Sequence, residues 1–202
     1  MGDNTMASSA EDGQAIALEV IQRLDELQVP YMVVGSLSSN VYGIPRSTQD
    51  ADLVLDMQGR EFGPILKHMQ PLFTSDRQLR FEGVTATKRH VLRRTGREFN
   101  VELFVLTDDP FDQARFARRQ LRTFAGERVY LPTPEDVIVQ KARWLLNGDR
   151  PKDREDIASV LGVRHGTLDW DYIYSWCDQH GTRELLDEIR NGLPSLELAK
   201  DD

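Results

Sequence analysis

Cysteine is nearly missing from this chain: Cys177 stands alone, so no intrachain disulfide can staple the fold. Long apolar runs are missing as well. None approaches the roughly 18 residues that a membrane-spanning helix needs, so no membrane partner is expected. The amino end shows neither a basic region nor an apolar stretch of the kind that exports a protein, and with a lone thiol the expected compartment is a reducing cytoplasm. His68, His90, His165 and His180 are scattered, without the spacing that gathers histidines around a metal, and read as structural. Positive charge is in deficit, with a formal net charge of −8, which argues against wholesale wrapping of nucleic acid. Arginines nevertheless bunch at Arg89, Arg93, Arg94 and Arg97 and again at Arg115, Arg118, Arg119 and Arg122, so a local anion-binding surface stays open. Internal repeats and low-complexity segments are lacking too.

What the 202 residues do contain is 40% hydrophobic and 29% charged side chains, enough for one sizeable core with a small appendage. Residues 1–14 read as a flexible tail, 15–132 as an α/β core, and 133–202 as a helical carboxyl-terminal region that completes the site. Ile16, Val20, Ile21, Leu24 and Leu27 recur at helical spacing and stop before Pro30. Tyr31 to Val34 then reads as a strand, Gly35 as a turn, and Ser36 as the start of a short helix that ends near Gly43-Ile44-Pro45. A helix is expected from about Arg60 to Met69. Val84 to Arg93 and Glu98 to Leu106 are expected to form a hairpin around Thr95-Gly96, and Leu121 to Leu131 a second one around Gly126. Thr133-Pro134-Glu135-Asp136 is a strong helix start, for a helix running to about Asn147-Gly148. Further helices are expected from Pro151, over Trp170 to Gln179, and over Arg183 to Asn191; Trp144, Trp170 and Trp176 read as core.

The informative spacing lies between Gly35-Ser36 and Asp50-Ala51-Asp52, separated by thirteen residues. Side chains on a strand repeat every two residues, so Asp50 and Asp52 must share a face, opposite Ala51, Leu53 and Leu55. Two adjacent carboxylates beside a flexible glycine turn are the parts that a divalent-metal triphosphate site requires. Glu102 is a third candidate ligand, because Phe99, Val101, Leu103 and Val105 form the buried set of its strand and leave Glu98, Asn100 and Glu102 opposite. Lys141 falls with Val137 and Leu145 on an apolar helical stripe, where it either reaches a polar site or pairs with Asp136 or Asp156. Lys152 and Asp153 are either phosphate contacts or charges suited to a helix start.

The segments Val33-Val34-Gly35-Ser36, Asp50-Ala51-Asp52-Leu53 and Val101-Glu102-Leu103 resemble the signature of the DNA polymerase beta-like nucleotidyltransferases. Within that superfamily, Gly43 to Asp52, Lys141 and Lys152-Asp153-x-x-Asp156 resemble the branch containing AbiEii-type toxin nucleotidyltransferases. The resemblance spans Ala15 to Leu161 and implies a nucleotidyltransferase fold, a mixed β-sheet backed by helices with a helical carboxyl-terminal region. It also implies a transfer of a nucleoside monophosphate from a nucleoside triphosphate to a hydroxyl, releasing pyrophosphate. Asp50, Asp52 and Glu102 would be the catalytic and metal-binding carboxylates, around two Mg²⁺ ions, with Mn²⁺ as a substitute. Gly35, Ser36, Arg46, Lys141, Lys152 and Asp153 would contact the nucleotide. The acceptor would be an RNA end such as that of a tRNA, or a protein hydroxyl, and a cognate antitoxin would be a partner. Many relatives carry aspartate where this chain has Glu102. The competing readings are a non-catalytic nucleotide- or partner-binding protein of the same fold, such as an antitoxin or regulatory subunit, and a sugar-nucleotide glycosyltransferase. The Gly35-Ser36 turn and the short chain speak against the last of these.

Overall fold

The computed structural model describes residues 3–75, 80–81, 88–146, 148 and 150–193. The chain divides into two compact units, Met1–Ser38 with Arg46–Thr133, and Ser39–Pro45 with Pro134–Asp202.

The first unit opens with helix α1 (Asp3–Glu26), strand β1 (Tyr31–Val34) and helix α2 (Gly35–Tyr42), whose last turn passes into the second unit. Strand β2 (Asp50–Leu55), helix α3 (Phe62–Met69), β3 (Phe73–Ser75), β4 (Arg80–Phe81), β5 (Lys88–Arg94) and β6 (Asn100–Val105) follow. Helix α4 (Pro110–Ala117) and the hairpin β7 (Gln120–Phe124) and β8 (Glu127–Leu131) complete it. The main sheet has the order β1-β2-β6-β5-β3, with β4 also on β5. Among the described residues only β2 and β6 pair in parallel; β1/β2, β5/β6, β3/β5 and β4/β5 are antiparallel. This is the expected α/β architecture, a mixed sheet backed by helices.

One face of that sheet belongs to α1. Register aligns Ala51, Val101 and Leu92 across β2, β6 and β5, and Arg94, two residues beyond Leu92, binds Glu19 of α1 at 2.7 Å. Ile16, Ala17, Val20, Ile21 and Leu24 are buried on the helix, as the helical spacing requires. The helix is longer than expected, because residues read as tail also meet the connection between β5 and β6. A Cβ on Gly13 would lie 2.5 Å from the Phe99 ring, and Asp12 meets Arg97 at 2.8 Å. The opposite face splits in two. Met32, Val34 and Val54 form an apolar cluster with Phe116 of α4, and Phe104 and Leu106 pack against it.

Helix α4 is not visible as an apolar period, since only Phe111 and Phe116 are large and apolar in it. Its start is fixed locally instead. The Asp109 carboxylate accepts from the amides of Phe111 and Asp112, both at 3.1 Å, and Pro110 suits the first turn. The expected first hairpin is present, with its first strand at Lys88–Arg94 and residues 84–87 outside the described ones except as sequence; the helix expected from Arg60 begins at Phe62. The second hairpin turns at Ala125 and Gly126, as expected.

The second unit contains α5 (Pro134–Leu146), α6 (Pro151–Arg164), a 3₁₀ turn at His165–Thr167, α7 (Trp170–His180) and α8 (Arg183–Asn191). Asn147 lies outside the described residues. Buried Val137, Ile138, Ile157, Val160, Leu161, Ile173 and Leu186 supply its core. Among the described residues no helix is long and apolar enough to cross a membrane. Replacing Asp109 by alanine is expected to lower stability by about 1 kcal/mol in denaturant unfolding, whereas asparagine, which also caps, changes it little.

Candidate active site

Register assembles the carboxylates. On β2, Asp52 faces Val34 of antiparallel β1 on one side and Glu102 of parallel β6 on the other, so the two acids are direct cross-strand neighbours. Asp50 lies one row away, opposite Asn100. All three project from the face that α1 does not cover, and the Val54 row, capped by α4, bounds them with apolar side chains.

At the end of β1 the chain turns sharply. Gly35 has φ +65°, a left-handed conformation that favours glycine, and a Cβ built there would lie 2.0 Å from Asp52 Oδ2. The close approach that glycine permits is thus to a carboxylate of the site itself. Gly35 also begins α2, whose Ser38 hydroxyl donates to the Gly35 carbonyl at 2.8 Å. Arg46 Nη2 donates to Ser36 Oγ at 2.9 Å, joining the helix start to the loop before β2. Thr48 Oγ1 donates to Asp50 Oδ1 at 2.9 Å and fixes that carboxylate. Gly35, Ser36, Arg46, Asp50, Asp52 and Glu102 therefore come together in one unit.

Glu102 has a partner that sequence reasoning did not single out. Arg89 Nη1 donates to Glu102 Oε2 at 2.7 Å, from β5 on the far side of β6. Arg89, Val91 and Arg93 alternate along β5 on the face of Glu102; this parity was the available signal, hidden among neighbouring arginines. Among the described residues, no three or more histidine, cysteine, aspartate or glutamate side chains are grouped to hold a metal ion.

Lys141, Lys152 and Asp153 lie in the second unit. Lys141 Nζ binds Asp153 Oδ1 at 2.8 Å and Asp156 Oδ2 at 2.6 Å, with all three side chains under 10% exposed. The pairing of Lys141 with Asp156, one of the two sequence readings, is realised, and Asp153 joins it. Lys152 is exposed on the first turn of α6 and is not part of that cluster. One ammonium between two buried carboxylates holds α5 to α6.

No protein-family model matches the chain, and no curated protein matches it in sequence. Solved structures do. The solution structure of the antibiotic-resistance factor ANT(2'')-Ia matches with a TM-score of 0.61 at 14% identity, over 90% of this chain and 98% of that one. The crystal structure of ANT(2'')-Ia in complex with adenylyl-2''-tobramycin matches at 0.59 and 12% identity, over 85% and 98%. An antigenic nucleotidyltransferase-like protein from Paracoccidioides brasiliensis matches at 0.60 and 19%, over 92% and 94%. The chain has the nucleotidyltransferase fold.

Two consequences are measurable. Gly35→Ala forces a left-handed alanine and displaces the Asp52 carboxylate, so a stability loss of about 1–2 kcal/mol is expected in urea unfolding. Lys141→Met removes the ammonium that two buried carboxylates share, leaving Asp153 only the more distant Arg150 at 3.5 Å as a cation. A loss of about 3–5 kcal/mol is expected, followed by the fluorescence of Trp144, whose ring lies 5.6 Å from Lys141 Nζ.

Proposed function

We propose that this protein is a metal-dependent nucleotidyltransferase that moves a nucleoside monophosphate from a nucleoside triphosphate to a hydroxyl, with release of pyrophosphate. The observation that carries this reading is the row in which Asp52 faces Glu102 across β2 and β6, with the Gly35 turn packed against the Asp52 carboxylate. The donor chemistry fits the implied metal: Mg²⁺ is commonly held by one or two carboxylates together with substrate phosphates, and Asp50 and Asp52 supply such a pair. Bound there, as two ions or with Mn²⁺ in place of Mg²⁺, the metal would supply positive charge to the triphosphate and the departing pyrophosphate.

The chain's own residues have separate tasks in this scheme. The amides at the start of α2 and the Ser36 hydroxyl bind phosphate oxygens, and Arg46, already hydrogen-bonded to Ser36, adds a cation beside them. Thr48 keeps the Asp50 carboxylate in place. Glu102 is the general base for the acceptor hydroxyl, being the carboxylate one strand removed from the Asp50 and Asp52 pair. In the AbiEii-type reading the acceptor is an RNA end such as that of a tRNA, or a protein hydroxyl, with a cognate antitoxin as partner. The adenylylated tobramycin bound by ANT(2'')-Ia supports a small-molecule hydroxyl as a further acceptor to test.

The Arg89–Glu102 ion pair favours a second reading, in which the fold binds nucleotide or a partner protein without turnover. The test incubates the protein with Mg²⁺ and each α-labelled nucleoside triphosphate, with total RNA, the protein itself or an aminoglycoside as acceptor. Label transfer with pyrophosphate release is expected, and Asp52→Ala should reduce it by about a hundredfold or more. Tight nucleotide binding with no transfer to any acceptor would establish the second reading instead.

A further inference from the structure

We infer that Arg93 is a specificity-determining residue on the acceptor side, contacting a phosphodiester next to the acceptor hydroxyl, so that the acceptor is a nucleic-acid end rather than an aminoglycoside. The inference rests on the nucleotidyltransferase reading and adds to it a substrate class and a residue. Four arginines crowd into the segment from Arg89 to Arg97. Three of them are tied to acids: Arg89 to Glu102 at 2.7 Å, Arg94 to Glu19 at 2.7 Å and Arg97 to Asp12 at 2.8 Å. Arg93 is exposed, and its side chain meets no hydrogen-bond, ion-pair or ring partner among the described residues. The Thr74 hydroxyl reaches only its backbone carbonyl, at 3.5 Å. The chain holds 33 acids against 25 lysines and arginines, so this lack of a partner does not come from a shortage of carboxylates.

Register decides where the unpaired guanidinium stands. Asn100 of β6 lies between Asp50 of β2 and Arg93 of β5, and Thr74 of β3 ends the row. Side chains of one row share a face, so Arg93 belongs to the face of Asp50, Asp52 and Glu102, while Leu92 and Arg94 turn to α1. At about 4.8 Å per strand, its backbone is roughly 10 Å from that of Asp50. In the proposed reaction the acids of β2 serve the triphosphate and Glu102 of β6 serves the acceptor hydroxyl, so the body of the acceptor extends toward β5. There Arg89 is engaged by Glu102 and Val91 is buried, which leaves Arg93 to meet the acceptor's charge. A terminal nucleotide carries a phosphodiester at a short, fixed distance from its free hydroxyl, and one guanidinium can take two of its oxygens. A polycationic aminoglycoside would meet like charge in the same place. An acidic peptide holds no carboxylate at a set distance from its hydroxyl, so the phosphodiester is favoured.

A short fluorescein-labelled RNA with a free terminal hydroxyl is titrated with the full chain, and binding is followed by anisotropy over a range of salt. Arg93→Gln should weaken binding by about tenfold and lower the slope of log Kd against log salt by about one, while Arg93→Lys keeps the slope. A merely structural arginine would not change that slope. Because the Arg93 side chain is exposed and unpaired, the unfolding curve should stay in place, which checks the fold. Unchanged affinity and slope in Arg93→Gln, no RNA binding by the wild type, or displacement of the RNA by poly-glutamate as readily as by unlabelled RNA overturns the inference. Label transfer by the wild type to RNA and to tobramycin is measured alongside. Transfer to tobramycin but not to RNA, or transfer to RNA that Arg93→Gln leaves unchanged, rejects the role of Arg93 and keeps the enzyme. RNA binding weakened by Arg93→Gln, with no transfer to any acceptor, keeps the anion contact and rejects the enzyme. Neither RNA binding nor transfer rejects both.

Discussion

The parallel register of β2 and β6 is the constraint on which the rest of the site depends. Two antiparallel neighbours can be set by a hairpin, but β2 and β6 are separated by α3 and three strands, so their alignment is a property of the whole sheet. Buried Ala51, Leu53, Val101 and Leu103 hold it, since a slip of one residue in either strand would turn these side chains off the α1 face and the acids into the core. The same packing that makes the core thus places Asp52 opposite Glu102. Electrostatics opposes the placement, because two carboxylates on directly facing positions repel. The apolar face sets the geometry and the charged face accommodates it.

Accommodation is visible in the groups around the carboxylates. Thr48 orients Asp50, Arg89 neutralises Glu102, and Gly35 gives up a side chain so that the Asp52 carboxylate has room. Helix α4 covers the neighbouring Val54 row, so polar and apolar chemistry divide a single sheet face along a strand row. That division leaves the acids beside a low-dielectric wall, where a charge has more effect than in open water. It also explains why Val54, which shares the strand parity of the two aspartates, is buried at 5% exposure.

Much of this arrangement is legible in the sequence because it rests on local periodicity. Alternation alone assigns Asp50 and Asp52 to one face and Glu102 to the non-core face of its own strand, and the helical spacing from Ile16 marks the covered side. Parity does not reveal which strands are neighbours, so the direct opposition of Asp52 and Glu102 emerges only with the sheet order. Helix α4 was invisible for a different reason: its content is a cap and two phenylalanines, too little for an apolar period. Arg89 was hidden by abundance, one of several arginines close together, of which β5 turns Arg89 and Arg93 to the face of Glu102 and Arg94 to that of α1.

Lys141 and Arg89 show how burial decides what an ion pair can do. Both are cations beside carboxylates, and at the level of sequence both suggested contact with an anion. Lys141 is 3% exposed and meets two acids on α6, so its charge is committed; removing it from its partners would strand charge in a dry interior. Arg89 meets one acid, keeps a quarter of its side chain in reach of solvent, and leaves a donor unsatisfied. The first arrangement suits a permanent link between helices, because every alternative is worse. The second is the looser of the two, because one contact with solvent in reach lets water compete for the guanidinium. The chemistry of the side chains is nearly the same in the two places, and it is the number of partners and the access of water that separate a buried link between helices from a pair shared with solvent.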